Sequence, residues 1–279
     1  MSYPRFFINE PDEFFSGHIE LPPKTAKHAG RSLRLAAGDL VEVFNGKGRL
    51  WRGPIGFSSE SAWVDVEEVA GADAESPLRI TLLQSFVSPE KTEWVVEKAV
   101  EAGVHAVAIA PASRSVTRLS GDRLEKRLLR LREIARSAAE QCGRNIVPEI
   151  RAFASIKDAF AQIDADLRLI LAPGAESAER PEKLKPGLGT AAVAIGPEGG
   201  FSPEEIAAAE DLGWEAQLLG PRVLRTETAG LAAAVWLQNS CRGLSSLNAS
   251  IGADGFRSLY GRSRCFRFDD IRLRCCLSR

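Results

Sequence analysis

Two stretches hold the residues best suited to chemistry. The first is Gly196-Pro197-Glu198-Gly199-Gly200-Phe201-Ser202, delivered by the apolar run Ala191-Ala192-Val193-Ala194-Ile195. Glycines remove side-chain obstruction, so a ligand can approach the backbone closely and meet its polar groups. The second is Leu218-Leu219-Gly220-Pro221-Arg222-Val223-Leu224-Arg225-Thr226-Glu227-Thr228-Ala229, where arginines, a glutamate and two hydroxyls crowd the start of an apolar helix expected over 229–237. The N-terminal end of a helix favours negative groups. The glycine spacing is neither GxGxxG nor GxxxxGK[ST], which excludes the Rossmann dinucleotide loop and the P-loop. Each stretch also has a bland alternative. The glycines could merely turn a strand into a helix, Thr226 or Thr228 could be a simple N-cap, and Arg222 could form a surface ion pair.

The elements needed to present these stretches are legible around them. Buried strands are expected over 78–87, 104–110, 167–171 and 191–195, each short enough for a parallel sheet. Helices alternate with them. Ser88-Pro89-Glu90-Lys91 opens one, with serine as N-cap and proline at the first helical position, and a long basic helix is expected from about Asp122 to Gln141. Ser202 and Glu205 make a capping box that starts the helix after the glycine loop. The class is α/β. Residues 1 to about 75 read instead as small and all-β. Gly38-Asp39-Leu40-Val41-Glu42-Val43-Phe44 alternates, Asn45-Gly46-Lys47-Gly48 supplies a tight hairpin, and Ala62-Trp63-Val64-Asp65-Val66-Glu67 alternates again. The small, polar stretch from Ala70 to Pro77 reads as a linker. The expected domains are therefore 1–74 and 75–243. The last 36 residues, 244–279, hold seven arginines, three aspartates and no lysine without periodicity, and are expected to be a poorly ordered appendage.

Composition narrows the function. With 44% hydrophobic and 26% charged residues in 279, the chain is neither disordered nor fibrous. No apolar stretch is long enough to span a membrane and the N-terminus lacks a signal segment, so a cytoplasmic protein is expected. The five cysteines form no CxxC pair and no histidine stands at ligand spacing, so no metal site is indicated. Net charge is −1, and contact with nucleic acid must come from local patches. One such patch holds Lys24, Lys27, Arg31 and Arg34 with no acid among them, joined by Lys47, Arg49 and Arg52 across the hairpin. Arg5 and His28 complete this RNA-binding set. A second, Arg114 to Arg136, holds eight basic against three acidic residues, as a binding surface or as a solvated helix face. Trp51 and Trp63 could stack on bases or belong to the core.

Together the two motifs resemble the ribosomal RNA small subunit methyltransferase E family, of the SPOUT class. Further matches are Pro4-Arg5-Phe6-Phe7, His28 through Arg34 to Gly38-Asp39, Glu97-Lys98-Ala99-Val100-Glu101-Ala102-Gly103-Val104 and Glu140-Gln141-Cys142-Gly143-Arg144, so the likeness runs from about residue 3 to 243. The resemblance implies a PUA-like RNA-binding β-barrel followed by a parallel sheet whose end is threaded into a trefoil knot. It implies a homodimer that uses S-adenosylmethionine to methylate N3 of one uridine in 16S ribosomal RNA. Carried onto this chain, the cofactor would contact Leu171-Ala172-Pro173, Gly196 to Gly200, Leu218-Leu219-Gly220, Arg222-Val223-Leu224 and Thr228-Ala229. Two departures stand out. Leu171-Ala172-Pro173-Gly174 lacks the residue often found before the proline, and Pro221 removes a backbone donor.

Methylating N3 requires removal of a weakly acidic proton and stabilisation of the resulting anion. Arg225 and Arg114 are the expected stabilisers of the uracil oxygens. Glu227 is either the proton acceptor or a partner that orients an arginine. His105, inside an apparent buried strand, is expected to be core. A target N3 engaged in pairing must first be exposed, and the near-neutral charge hints at an assembled small subunit as substrate. A sibling activity at another RNA position, such as a ribose hydroxyl, and a catalytically silent RNA-binding module are the competing readings.

Overall fold

The computed structural model describes residues 3–10, 13–14, 16–59, 61–69, 74–172, 181 and 183–241. Pro173 and the expected appendage from residue 244 lie outside them. The N-terminal strands are β1 (Arg5–Phe7), β2 (Ser16–Glu20), β3 (Leu40–Phe44), β4 (Leu50–Phe57) and β5 (Ala62–Glu68). They form one sheet in the order β1-β3-β4-β5-β2, antiparallel except where β1 runs parallel to β3. The hairpin expected at Asn45–Gly48 joins β3 to β4, with Gly46 at φ 75° and Gly48 at φ 111°. Between β2 and β3 lie the short helix α1 (Pro23–Lys27) and a π-helical turn, His28–Ser32. Alternation puts Val41, Val43, Ile55, Val64 and Val66 into one core with Phe6, Ile19 and Trp51. Trp51 is fully buried and its indole donates to Phe14 O at 3.2 Å, so it is core. Trp63 remains half-buried, beside the His18 ring.

From residue 79 the chain alternates strand and helix. In order it forms β6 (Arg79–Ser85), α2 (Pro89–Glu101), β7 (Ala106–Ala110), α3 (Gly121–Cys142) and β8 (Glu149–Ala152). It continues with α4 (Ile156–Gln162), β9 (Leu167–Leu171), β10 (Thr190–Ile195), α5 (Pro203–Asp211), β11 (Glu215–Gln217) and α6 (Thr226–Cys241). The six strands are all parallel, in the order β11-β9-β10-β6-β7-β8. Period-two alternation divides the buried strands between two faces. Ala191, Val193 and Ile195 of β10 share a core with α2, α3 and α6, whereas Ala192 and Ala194 pack with α4 and α5. Two helices and four strands, α1, α4, β1, β2, β8 and β11, carried no expectation in the sequence. Among the described residues no helix is long and apolar enough to cross a membrane.

Hydrogen bonds from a partly buried guanidinium join the N-terminal sheet to the segment after α3, within one packed unit. Arg5 Nη1 bonds Glu42 at 2.7 Å, and Nη2 donates to Arg144 O and Asn145 Oδ1. Arg144, itself 3% exposed, holds Glu75 with two bonds and donates to Val100 O and Val104 O. The guanidinium fork suits such bidentate contacts. Arg5 therefore faces this seam rather than an open RNA-binding surface, which corrects the expectation from its position in the motif. His105 also departs from expectation. It precedes β7 half-buried, with Arg79 donating to its Nε2, and burial together with the Arg79 charge holds its pKa below the usual histidine range.

Glu140 of α3 accepts a 2.7 Å bond from Phe7 N at the same seam. Burial raises its pKa, outweighing that bond and the cations nearby. A carboxyl raised in the fold costs stability at pH values above its folded pKa, and the cost fades as pH falls toward the unfolded value. Glu140→Gln keeps the acceptor and removes the charge. It should melt higher than the wild type at neutral pH, and calorimetry should find that advantage shrinking as the solution is acidified toward the ordinary glutamate value.

Candidate functional site

Parallel strands deliver their following loops to one edge, and ligands bind where neighbouring connections diverge. Here that point lies at the carboxyl ends of β9, β10 and β11. Leu171, Ile195 and Gln217 end these strands and line a cavity of about 500 Å³, within the range of small-molecule sites. The glycine loop forms one wall and residues 218–229 form another. The loop folds back on itself: a Cβ on Gly196 would stand 3.1 Å from Gly200 Cα and Phe201 N, and Gly200 has φ 69°. The close approach at Gly196 and the positive φ at Gly200 both favour glycine.

Three sets of bonds hold these walls. Thr226 Oγ1 donates to Gly196 O at 2.6 Å and accepts from Gln84 Nε2 at 3.0 Å, joining the glycine loop, α6 and β6 in the interior. Thr226 is therefore a cross-link, beyond the N-cap alternative. The expected capping box is present, with Ser202 Oγ accepting from Glu205 N and Glu205 Oε2 from Ser202 N. Glu205, 4% exposed, also accepts from Ser113 N and Ser113 Oγ, which fastens the segment after β7 to the loop. Neighbouring Arg114 donates through Nη1 to Gly199 O and Phe201 O.

The mouth carries charges of both signs. Lys91, on the first turn of α2, bonds Glu198 Oε1 at 2.8 Å and stands 3.7 Å from Glu227 Oε2. That hydrogen bond raises the pKa of Lys91 and holds the Glu198 carboxyl below its usual range. Glu227 Oε2 is buried without a hydrogen-bond partner among the described residues. Arg222 and Arg225 are exposed on the cavity wall.

Most of the motif residues converge on this cavity. Leu171, Ala172, Gly196, Pro197, Glu198 and Gly200 line it from the sheet side. Leu218, Leu219, Gly220, Arg222, Val223, Leu224 and Ala229 line it from the other side, together with Arg225 and Glu227. Gly199 and Thr228 are outside the lining. Arg114 also lies outside it, with Nη1 bound to the loop carbonyls of Gly199 and Phe201. Glu227 faces Lys91 rather than an arginine partner. Of the RNA-binding set, Lys24, Lys27, His28, Arg31 and Arg34 are exposed along α1 and the turn after it. Arg34 there takes φ 56°. Arg49 is half-buried and bonds Glu68 at 2.6 Å. Lys91 and Gln84 were missed as site residues, and neither had a signal in the sequence. Thr226 stood within the second motif, but its cross-linking role had none.

Comparison with known proteins points one way. Residues 74–238 match a family model described as an RNA methyltransferase domain, and residues 21–61 match an RNA methyltransferase PUA domain. The chain is 31% identical over 238 residues to the ribosomal RNA small subunit methyltransferase E of Mesomycoplasma hyopneumoniae, covering 85% of this chain and 98% of that protein. A methyltransferase from Legionella pneumophila, solved with SAM bound, superposes with TM-score 0.80 at 32% identity, covering 88% of this chain and 100% of that one. The Neisseria gonorrhoeae ribosomal RNA small subunit methyltransferase E, bound to S-adenosyl methionine, superposes with TM-score 0.77 at 31% identity, covering 86% and 98%.

Thr226→Val keeps the side-chain shape but leaves Gly196 O and Gln84 Nε2 without their shared partner. Leaving a buried polar group unpaired costs about 1–3 kcal/mol, so urea unfolding should read a loss of that order, while Thr226→Ser should retain most of the stability.

Proposed function

Since the chain belongs to the ribosomal RNA small subunit methyltransferase E family, we propose that it transfers a methyl group from S-adenosylmethionine to N3 of a uridine in 16S ribosomal RNA. The observation that carries this reading is the cavity at the carboxyl edge of the sheet, where both motifs meet. Its residues fit the cofactor. Apolar walls at Leu171, Leu218 and Leu224 suit a nucleoside, and the glycine loop exposes backbone at close range. Glu227 Oε2, buried without a donor, suits a neighbouring positive centre.

When bound, the cofactor supplies an electrophilic sulfonium methyl group. The chain's part is placement and electrostatics. The cavity-lining residues of the glycine loop and of 218–224 would hold the cofactor. Arg225 stabilises the negative charge that spreads over the uracil oxygens as N3 loses its proton, and Glu227 accepts that proton or orients the cation beside it. Arg114 shapes the glycine loop through its two carbonyl bonds.

The remaining parts of the reading follow from the same family. Residues 1–74 form a PUA-like RNA-binding barrel, 75–243 the SPOUT methyltransferase domain with its trefoil knot, and 244–279 an appendage. The protein works as a homodimer in the cytoplasm on the assembled small subunit. Lys24, Lys27, His28, Arg31 and Arg34 meet RNA phosphates.

Labelled methyl transfer to small subunits lacking the modification should yield 3-methyluridine by mass spectrometry. Label in another nucleoside would move the protein to a sibling activity, and no label with intact cofactor binding would leave an RNA-binding module. Arg225→Ala should lower turnover by roughly 100-fold, the usual scale for losing one charge-stabilising donor, with cofactor affinity unchanged. Replacing Lys27, Arg31 and Arg34 together by glutamine should reduce the slope of log affinity for RNA against log salt by about 2, since each lost phosphate contact removes roughly 0.7–0.9.

A further inference from the structure

Lys91 serves two carboxylates with different needs. The Glu198 side chain is 47% exposed and can exchange the lysine for water at little cost. Glu227 Oε2 is sealed from solvent and accepts no hydrogen bond among the described residues. Removing the nearby charge from a buried carboxylate is far more costly than breaking an exposed pair. Lys91 is the one described cation within ion-pair distance of Glu227, at 3.7 Å. Its ammonium has three donors, and one bond to Glu198 leaves two available. The flexible stem can bring one of them onto Glu227 while α2 stays fixed by Val95, Val96 and Ala99 in the core.

Lys91 also links segments that no other ion pair among the described residues connects: α2, the glycine loop and the start of α6. Arg225 is close enough for its charge to oppose that of Lys91, so the two cations flank one region of the mouth. The cations do different work there. Arg225 is exposed and free to meet an incoming base, whereas Lys91 is half-buried between carboxylates.

Resting on the functional reading above, we infer that Lys91 is a positioning residue, whose ammonium places the Glu227 carboxylate at the cavity wall. Its effect passes through Glu227. Lys91→Met therefore harms the protein only while residue 227 carries a carboxylate.

A double-mutant cycle tests this with and without a reaction. In ligand-free protein, Lys91→Met should lower the melting temperature by about 3 °C, roughly the shift expected when a partly buried carboxylate loses its nearest cation in a chain of this size. Adding Glu227→Gln should recover most of that loss. In methyl transfer, Lys91→Met should reduce kcat by roughly 10-fold or more with cofactor affinity changed little, and Lys91→Arg should restore most of it, because the charge is what matters. In the Glu227→Gln background the same Lys91→Met change should have little further effect on kcat. Equal losses of melting temperature in both backgrounds, or a Lys91→Met enzyme with wild-type kcat, would overturn the assignment. If the wild type methylates no RNA, the functional reading falls, and the melting cycle alone then decides the link between Lys91 and Glu227.

Discussion

One buried hydroxyl joins the three segments that make the cavity. Thr226 Oγ1 donates to Gly196 O and accepts from Gln84 Nε2, so β6, the glycine loop and α6 meet at one atom. The loop follows a strand and cannot continue its ladder, and a carbonyl turned inward there needs a donor. Thr226 is 7% exposed and Gln84 is fully buried, so water does not compete for either bond. The carbonyl of Gly196 and the entry of α6 are consequently held in register. The cavity lies between the parts so joined.

A second constraint sets the N-terminal sheet against this framework. Arg5 reaches from β1 to the end of α3, where Arg144 is locked by Glu75 and by the carbonyls of Val100 and Val104. Glu42 binds Arg5 and Arg52 together, so the buried charges of the seam are compensated. Phe7 N on Glu140 and the antiparallel bridge between Lys47 and Ile146 extend the contact along the sheet. The basic segment around α1 is thereby carried on the same body as the cavity.

Charge around the mouth is divided by the partners each group engages. Arg114 is bound to two loop carbonyls and contributes shape. Arg225 and Arg222 stay exposed, while Lys91 sits between Glu198 and Glu227. Residues of one chemical type thus take different roles according to which partners the fold places within reach. A motif identifies the arginines, but it says nothing of how their donors are already engaged.

Local pattern determined much of this protein. Alternation marked β3 and β5, an apolar run marked β10, the Asn45–Gly48 stretch marked the hairpin, and Ser202 with Glu205 marked the start of α5, because each depends on residues near in sequence. The glycine loop and the Arg225-Thr226-Glu227 cluster were legible as candidate site residues for the same reason. Strands of three or four residues such as β1, β8 and β11 are too short to display a period, and they form because a neighbouring strand offers a ladder. Strand order, the inward turn of Arg5 and the pairing of Gln84 with Thr226 were decided by tertiary structure. So was the approach of Lys91 to Glu227, since partners more than a hundred residues apart meet only through the packing of everything between them.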